Sequence, residues 1–551
     1  MTVSTTASGP ARADARIGSR WLRRAALGAL GALVLAAGAQ AEEKVLRVAM
    51  TAADIPINIG QPDQGFEGFR FMGYMLYDTL VLWDLSKSDK PASLTPGLAE
   101  KWEIDPKNNK RWVFHLRKGV KFHDGSPFTA DDVVWNYAKV RDTKAPQYES
   151  KQAALVAVRI PALDKVNKID DYTVEILTKE PSAYVPYQVS FWFMSSQEHW
   201  EKTKSWAEFA KSPSGTGPWK FVSQTQRAKV EMVPNKEYWN KKRVPKVDRV
   251  ILRPIPEASA RVAALLSGQV DFVEAPPPDS VPRLKSAGMK VVTNVYPHNW
   301  AIEPSQAEGS PWRDLRVRKA ANLCIDREGM VKMLGGLAVA SKGHMPPGDT
   351  WFGKPKFDIK YDPDAARKLM AEAGHSAAKP LGVKIAVSTS GSGQMQPLPM
   401  FEFLQANLNE CFFKVDAEVM EWNSLTSFAR APSDGKDAKA KGVNGSIISR
   451  ATQDPYSALE RVFMSSRIPP GGSNWALIKD PVYDEMLAKA AATFDSEAQN
   501  KILAAVHAHA VEQAQWIWVV HDVNPRALSP KVKGFVQAQS WFQDLTPVSL
   551  D

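Results

Sequence analysis

The chain has 551 residues, a formal net charge of +10, 44% apolar residues and two cysteines. That apolar share excludes a disordered polymer. Two cysteines cannot staple so long a chain, so stability must rest on an ordinary core, to which 18 tryptophans contribute. The basic excess forms no concentrated stripe, which leaves no case for nucleic-acid binding.

The first 24 residues carry Arg12, Arg16, Arg20, Arg23 and Arg24 against Asp14, and an apolar run at 25–37 follows. Ala39 and Ala41 then place small residues where a signal peptidase reads. This is the layout of a secretory leader. Thirteen apolar residues make about 20 Å of helix, short of the ~30 Å hydrocarbon core. Cleavage before Glu42 is expected. No cysteine follows the run, so no lipid anchor is expected, and the expected location is the periplasm. Arg23 and Arg24 leave both the general and the twin-arginine export routes open. Removing residues 1–41, with five Arg and one Asp, lowers the formal charge from +10 to +6.

Downstream, apolar and polar patterning alternates between strand and helix. Residues 45–50 read as a first strand. Residues 111–117 alternate, with Trp112, Phe114 and Leu116 on one face, and 171–178 do the same through Tyr172, Val174 and Ile176. Thr129 with Asp132 forms a variant capping box that opens a helix to about Val140. A helix is predicted at 260–266, stopped by Gly268 before a strand at 270–274. Strand 383–387, helix 397–411 and strand 414–421 compose a βαβ unit, which implies a parallel sheet. The polar stretch 432–442 reads as a solvated loop. Cys324 and Cys411 are far apart in sequence; an oxidising compartment permits a disulfide, but two buried thiols are the preferred reading.

Residues 98–140 (LAEKWEIDPKNNKRWVFHLRKGVKFHDGSPFTADDVVWNYAKV) resemble the defining segment of the peptide/nickel family of periplasmic solute-binding proteins, family 5, which feed ABC importers. The resemblance continues through Pro213-Ser-Gly-Thr-Gly-Pro-Trp-Lys-Phe221, Asn235-Lys-Glu-Tyr-Trp239, residues 314–328, the helix around Leu404, the strand end at Trp422 and residues 520–532. It implies an α/β, two-lobed periplasmic binding protein fold with an extra sub-domain inserted in lobe one. Lobe one would comprise 42–80, 190–297 and 520–551, the inserted sub-domain 81–189, and lobe two 298–519. Hinges are expected near 298–302 and near His521.

The same resemblance implies a solute buried between the lobes, where aromatic walls supply area and a few polar groups orient. It nominates Asp54 and Asn58 after the first strand, Asn299 and Trp300 at the crossing, Trp422, Arg430, and Arg450, Asp454 and Tyr456 in the cleft loop. Peptide-binding members usually place an Asp in this loop to hold the α-ammonium group. That position aligns with Ala451, which can neither pair with an ammonium ion nor accept a side-chain hydrogen bond. The expected solute is therefore not a simple dipeptide but a peptide-like, blocked, anionic or sugar-like small molecule, held beside Arg450.

No CxxC, HExxH, P-loop or GxSxG motif occurs, and His507 and His509 are two apart, which points them to different sides of a helix. No catalytic residue, metal or cofactor is expected. The leading expectation is a monomeric transport receptor that hands its solute to an ABC permease. A secreted enzyme with an interlobe cleft and a chemoreceptor-coupled binding protein are the alternatives.

Overall fold

The computed structural model describes residues 42–551, and the leader read at 1–41 lies outside them. The apolar strand Val45–Met50 is the centre of a seven-stranded sheet. It runs parallel to Arg249–Pro254 on one side and Phe272–Glu274 on the other. Leu46, Val48, Ala49 and Met50 are all buried, as expected of a strand covered on both faces. The sheet continues through Lys229–Pro234 and Trp219–Thr225 at one edge, and through Arg526–Leu528 and Lys290–Val292 at the other.

A separate four-stranded antiparallel sheet is built from Ala99–Asp105, Asn108–Leu116, Thr173–Thr178 and Leu163–Asp170. Its alternation is that read from the sequence, with Trp112, Phe114, Leu116, Val174 and Ile176 turned into one apolar cluster. The helix Ala130–Arg141 begins where the Asp132 carboxylate accepts the Thr129 backbone N–H at 2.9 Å. Its partner across this cluster is the helix Ser150–Ala157.

Three of the sequence motifs converge on one point. Gly217 lies so close to the backbone of residues 75–77 that a β-carbon there would sit 2.5 Å from the Leu76 carbonyl carbon. The Gly217 carbonyl accepts from His123 Nε2 at 2.9 Å and from Asn235 Nδ2 at 3.1 Å. Beside it the buried Asp78 carboxylate accepts from Thr216 at 3.0 Å, Tyr238 at 2.9 Å and Trp239 at 2.8 Å. The 98–140 signature, the glycine-proline turn and the 235–239 segment thus lock the inserted sub-domain to the first sheet.

The second large sheet has the order Ala338–Ala340, Ile517–Asp522, His298–Pro304, Gly445–Ile447, Leu381–Ser388, Phe413–Met420. Leu381–Ser388 and Phe413–Met420 are parallel in register from Leu381 opposite Phe413 to Ser388 opposite Met420, joined by the crossover helix Pro397–Glu410. The chain passes between the two large sheets twice, at 293–297 and at 523–525. Val520, His521 and Asp522 stay paired within the second sheet. Among the described residues no helix is long and apolar enough to cross a membrane.

Two local expectations are corrected. Cys324 and Cys411 are not free thiols but form a disulfide, with Cα atoms 6.3 Å apart. Each ends a helix of the second sheet's cover, Leu315–Cys324 and Pro397–Glu410, and only the packing of those helices brings the two ends together. The stretch 432–442 is not all loop, because Lys436–Lys441 forms a short helix closed by Gly442 in the left-handed region. The disulfide closes 87 residues, so replacing both cysteines by serine is expected to remove about 2–5 kcal/mol of stability. Denaturant unfolding of the double variant beside the oxidised parent measures it.

Candidate functional site

Two cavities lie where segments of the two large sheets face each other. The first, about 310 Å³, has three walls. One is the loop after the first strand, residues 62–69. It is held by Glu67, whose carboxylate accepts the Thr51 N–H at 2.6 Å. The second wall is the end of helix Ser150–Ala157 with Val158 and Arg159. Gln152 ties this wall to the loop by exchanging hydrogen bonds with the Gln61 backbone at 2.6 and 2.8 Å. The third comes from the second sheet's side: helix Trp422–Phe428, Arg430, Arg450 and Arg461.

The other cavity, about 230 Å³, lies toward the chain crossings and includes Arg70, Arg261, Glu274 and Arg526. Its charges are committed to each other. Glu274 pairs with Arg70 at 3.0 Å and Arg526 at 2.8 Å. Burial works against the charge of Glu274, but these guanidinium groups hold its carboxyl down to about 2. Burial, and then Glu274 itself, push the neighbouring Glu67 carboxyl up. Arg261 donates to the carbonyls of Ile255, Pro256, Glu274 and Ala275 at 2.8–3.0 Å. This cluster pins the strands around the crossing and pairs its Arg70 and Arg526 charges with Glu274, although Arg70 Nε is buried without a hydrogen-bond partner.

Trp422 divides the two cavities. A β-carbon on Gly65 would lie 3.5 Å from its ring, and one on Gly391, whose φ is +132°, would lie 2.4 Å from it. Glycine is required at residue 391 both by that backbone angle and by the indole face. The Trp422 indole nitrogen is buried without a hydrogen-bond partner.

The nominated residues separate into two groups. Trp422, Arg430, Arg450 and Tyr456 gather at or beside the larger cavity, with Asp454 behind it. Arg430 is exposed on the rim. Arg450 makes a two-pronged pair with the buried Glu303, at 2.5 and 2.9 Å. The Tyr456 hydroxyl donates to the Val158 carbonyl at 2.8 Å, a direct bond from the second-sheet side to the inserted sub-domain. Asp454 accepts the Ser457 N–H at 2.8 Å, and burial pushes its carboxyl up.

The other four nominees are engaged elsewhere. Asp54 accepts from the Arg227 backbone at 2.8 Å and from Gln226, bracing a hairpin of the first sheet. Asn58 donates to the Ala210 carbonyl at 2.9 Å. Trp300 is wholly buried in the core of the second sheet. Asn299 donates to the Gly343 carbonyl at 3.1 Å, fixing the 341–345 loop on the crossing strand. That loop is also held by His507, whose Nε2 accepts the Met345 N–H at 3.0 Å while Nδ1 bonds the Phe352 carbonyl at 2.6 Å. Ala451 pairs with His298 and belongs to the apolar cluster of Phe66, Tyr296 and Trp541.

Sequence reading missed Arg159 and Arg461. Arg159 lies between the strand Leu163–Asp170 and the helix before it, with no local pattern to mark it. Its guanidinium stands 4.8–5.2 Å from the ring centres of Phe66, Phe69 and Phe191.

Two open sheets joined by two crossings, with cavities between them, define a binding protein of the two-lobed periplasmic class. Residues 93–468 match bacterial extracellular solute-binding proteins, family 5 (middle region), and the chain belongs to that family. It is 28% identical over 492 residues to heme-binding protein A of Haemophilus influenzae, covering 86% of this chain and 87% of the relative. The dipeptide-binding protein of Pseudoalteromonas sp. SM9913, solved with Met-Leu, superposes with a TM-score of 0.80 at 22% identity, covering 92% of this chain and 100% of that one. The protein AgaA of A. tumefacien R10, solved with agropinic acid, gives 0.74 at 20% identity, covering 92% and 99%.

Two predictions follow from this geometry. Removing the interlobe hydroxyl in Tyr456→Phe is expected to weaken the joined arrangement by about 0.5–1.5 kcal/mol. With solute present, small-angle X-ray scattering should then report a larger radius of gyration than the parent's, with circular dichroism unchanged. The second concerns His507, which burial pushes down to about 4. An unfolded histidine protonates near 6.5, so below that pH the unfolded chain binds the extra proton and stability falls until about pH 4. His507→Gln lacks this penalty. Its stability deficit relative to the parent should therefore shrink by about 2–3 kcal/mol between pH 7.5 and 4.5, measurable by urea unfolding at both pH values.

Proposed function

We propose that this protein is the solute-capturing component of an ABC importer, working in the periplasm after loss of residues 1–41 and without a lipid anchor. The observation that carries the reading is the 310 Å³ cavity, whose walls come from the first-strand loop, the inserted sub-domain and the second sheet together. A ligand stabilises a joined form only through contacts to both sides at once, and this cavity offers such contacts. The lobes are taken as 42–80, 190–297 and 520–551 for the first, with 81–189 inserted, and 298–519 for the second. The hinge is the pair of crossings. The solute leaves chemically unchanged, the working form is a monomer, and the joined surface is what the permease recognises.

The solute is a small molecule without a free amino terminus. Relatives named for haem, a dipeptide and agropinic acid leave the solute of this chain to its own side chains. The loop position aligned with an ammonium-binding Asp is Ala451, packed in an apolar cluster. Leaving a buried ammonium group unpaired costs several kcal/mol. Trp422, Arg430 and Arg450 border the solute in this reading, while Asp54, Asn58, Asn299 and Trp300 shape the scaffold behind it.

Titration calorimetry with a series of simple dipeptides is expected to show no micromolar binding. Micromolar or tighter binding would refute the restriction on the amino terminus. Absence of a scattering change with any solute extracted from the periplasmic protein would refute capture by hinge closure.

A further inference from the structure

We propose that the solute is an anion bridging Arg159 and Arg461, and that without it these two guanidinium groups hold the lobes apart. This rests on the capture reading above and assigns its chemical class.

The argument is a charge inventory of the larger cavity. Three of its cations are matched: Arg450 by Glu303 at 2.5 Å, Lys151 by Asp63 at 3.0 Å, and the nearby Arg467 by Glu460. Three are not. Among the described residues Arg159, Arg461 and the rim residue Arg430 make no side-chain ion pair, and the one unpaired carboxyl close by is Asp454. Arg159 is only 8% exposed, and its Nη1 has no hydrogen-bond partner. Arg461 is half-buried, with its Nε enclosed and lacking a partner. An uncompensated buried cation costs several kcal/mol. Such a cost is tolerated where the missing partner arrives from outside.

The two groups also come from opposite sides. Arg159 belongs to the inserted sub-domain and Arg461 to the second-sheet side, so approach of the lobes brings like charges together. Burial pushes the Arg159 guanidinium down and Arg461 pushes it further, while Tyr456 and Asp454 act against them. A carboxylate or phosphate between the two converts repulsion into two charge-assisted contacts, available only when both lobes contribute. Fork-shaped guanidinium groups suit both anions. The three phenylalanine rings around Arg159 hold its fork in place while the partner is absent.

The test uses the mature protein and four probes: inorganic phosphate, succinate, N-acetyl-dialanine, and its uncharged carboxamide. Thermal midpoint and radius of gyration are read for the parent, Arg159→Met and Arg461→Met. The expected result is that at least one anion raises the midpoint and lowers the radius while the carboxamide does neither. Each variant should bind that anion about 10- to 100-fold more weakly. Each variant without probe should also melt above the parent, because an unpaired buried charge is gone. Equal response to the carboxamide, or anion binding unchanged in both variants, overturns the proposal. If no probe binds, variants that melt below the parent overturn it, and variants that melt above it support it. Closure around an uncharged solute would remove this inference yet leave the capture reading standing; no closure with any solute would remove the capture reading itself.

Discussion

The architecture depends on one pairing. Lys290–Val292 and Arg526–Leu528 are antiparallel neighbours in the first sheet, and their continuations His298–Pro304 and Ile517–Asp522 are antiparallel neighbours in the second. Between them the Asn294 N–H donates to the Val523 carbonyl at 3.0 Å. The link between the two large sheets is therefore a two-stranded ribbon, not two independent linkers. A ribbon bends and twists about its length but resists sliding, because sliding breaks ladder hydrogen bonds. Rotation about that ribbon is the motion such a link hinders least.

The distribution of arginines follows from that constraint. Near the ribbon, Arg70, Arg261 and Arg526 are neutralised by Glu274 or spent on backbone carbonyls. These cations hold fixed geometry, and a buried network of this kind is stable only when nearly every member is satisfied. On the far side of Trp422 the balance changes. Arg159 and Arg461 lie near the buried Asp454 but make an ion pair with no carboxylate. The same residue type thus serves as mortar on one side of an indole ring and as bait on the other. What differs is the presence of a fixed counter-charge.

Membership of the family and choice of solute rest on different residues. Three of the motifs that reveal the family converge on Asp78 and Gly217, a packing junction in which His123, Tyr238 and Trp239 are hydrogen-bonded and unavailable to a ligand. They mark how the inserted sub-domain attaches. The cavity borders on residues scattered between positions 62 and 473. Relatives of this chain carry names as different as haem and dipeptide binding.

The residue pattern alone determined the local structure. The alternation of Trp112, Phe114 and Leu116, the Thr129–Asp132 cap and the 381–420 strand–helix–strand unit stand where period and capping chemistry put them. Nearest-neighbour physics specifies such features, so a window of a dozen residues contains them. Part of the site was legible too, because Trp422, Arg430, Arg450 and Tyr456 lie in segments of recognisable family pattern and meet at one cavity. Tertiary structure alone decided the rest. It joined Cys324 to Cys411, spent Asp54 and Asn58 on the scaffold, and set Arg159 across from Arg461 without a counter-ion. Each of these outcomes depends on which distant backbone arrives within a few ångströms, and no periodicity in the chain encodes that distance.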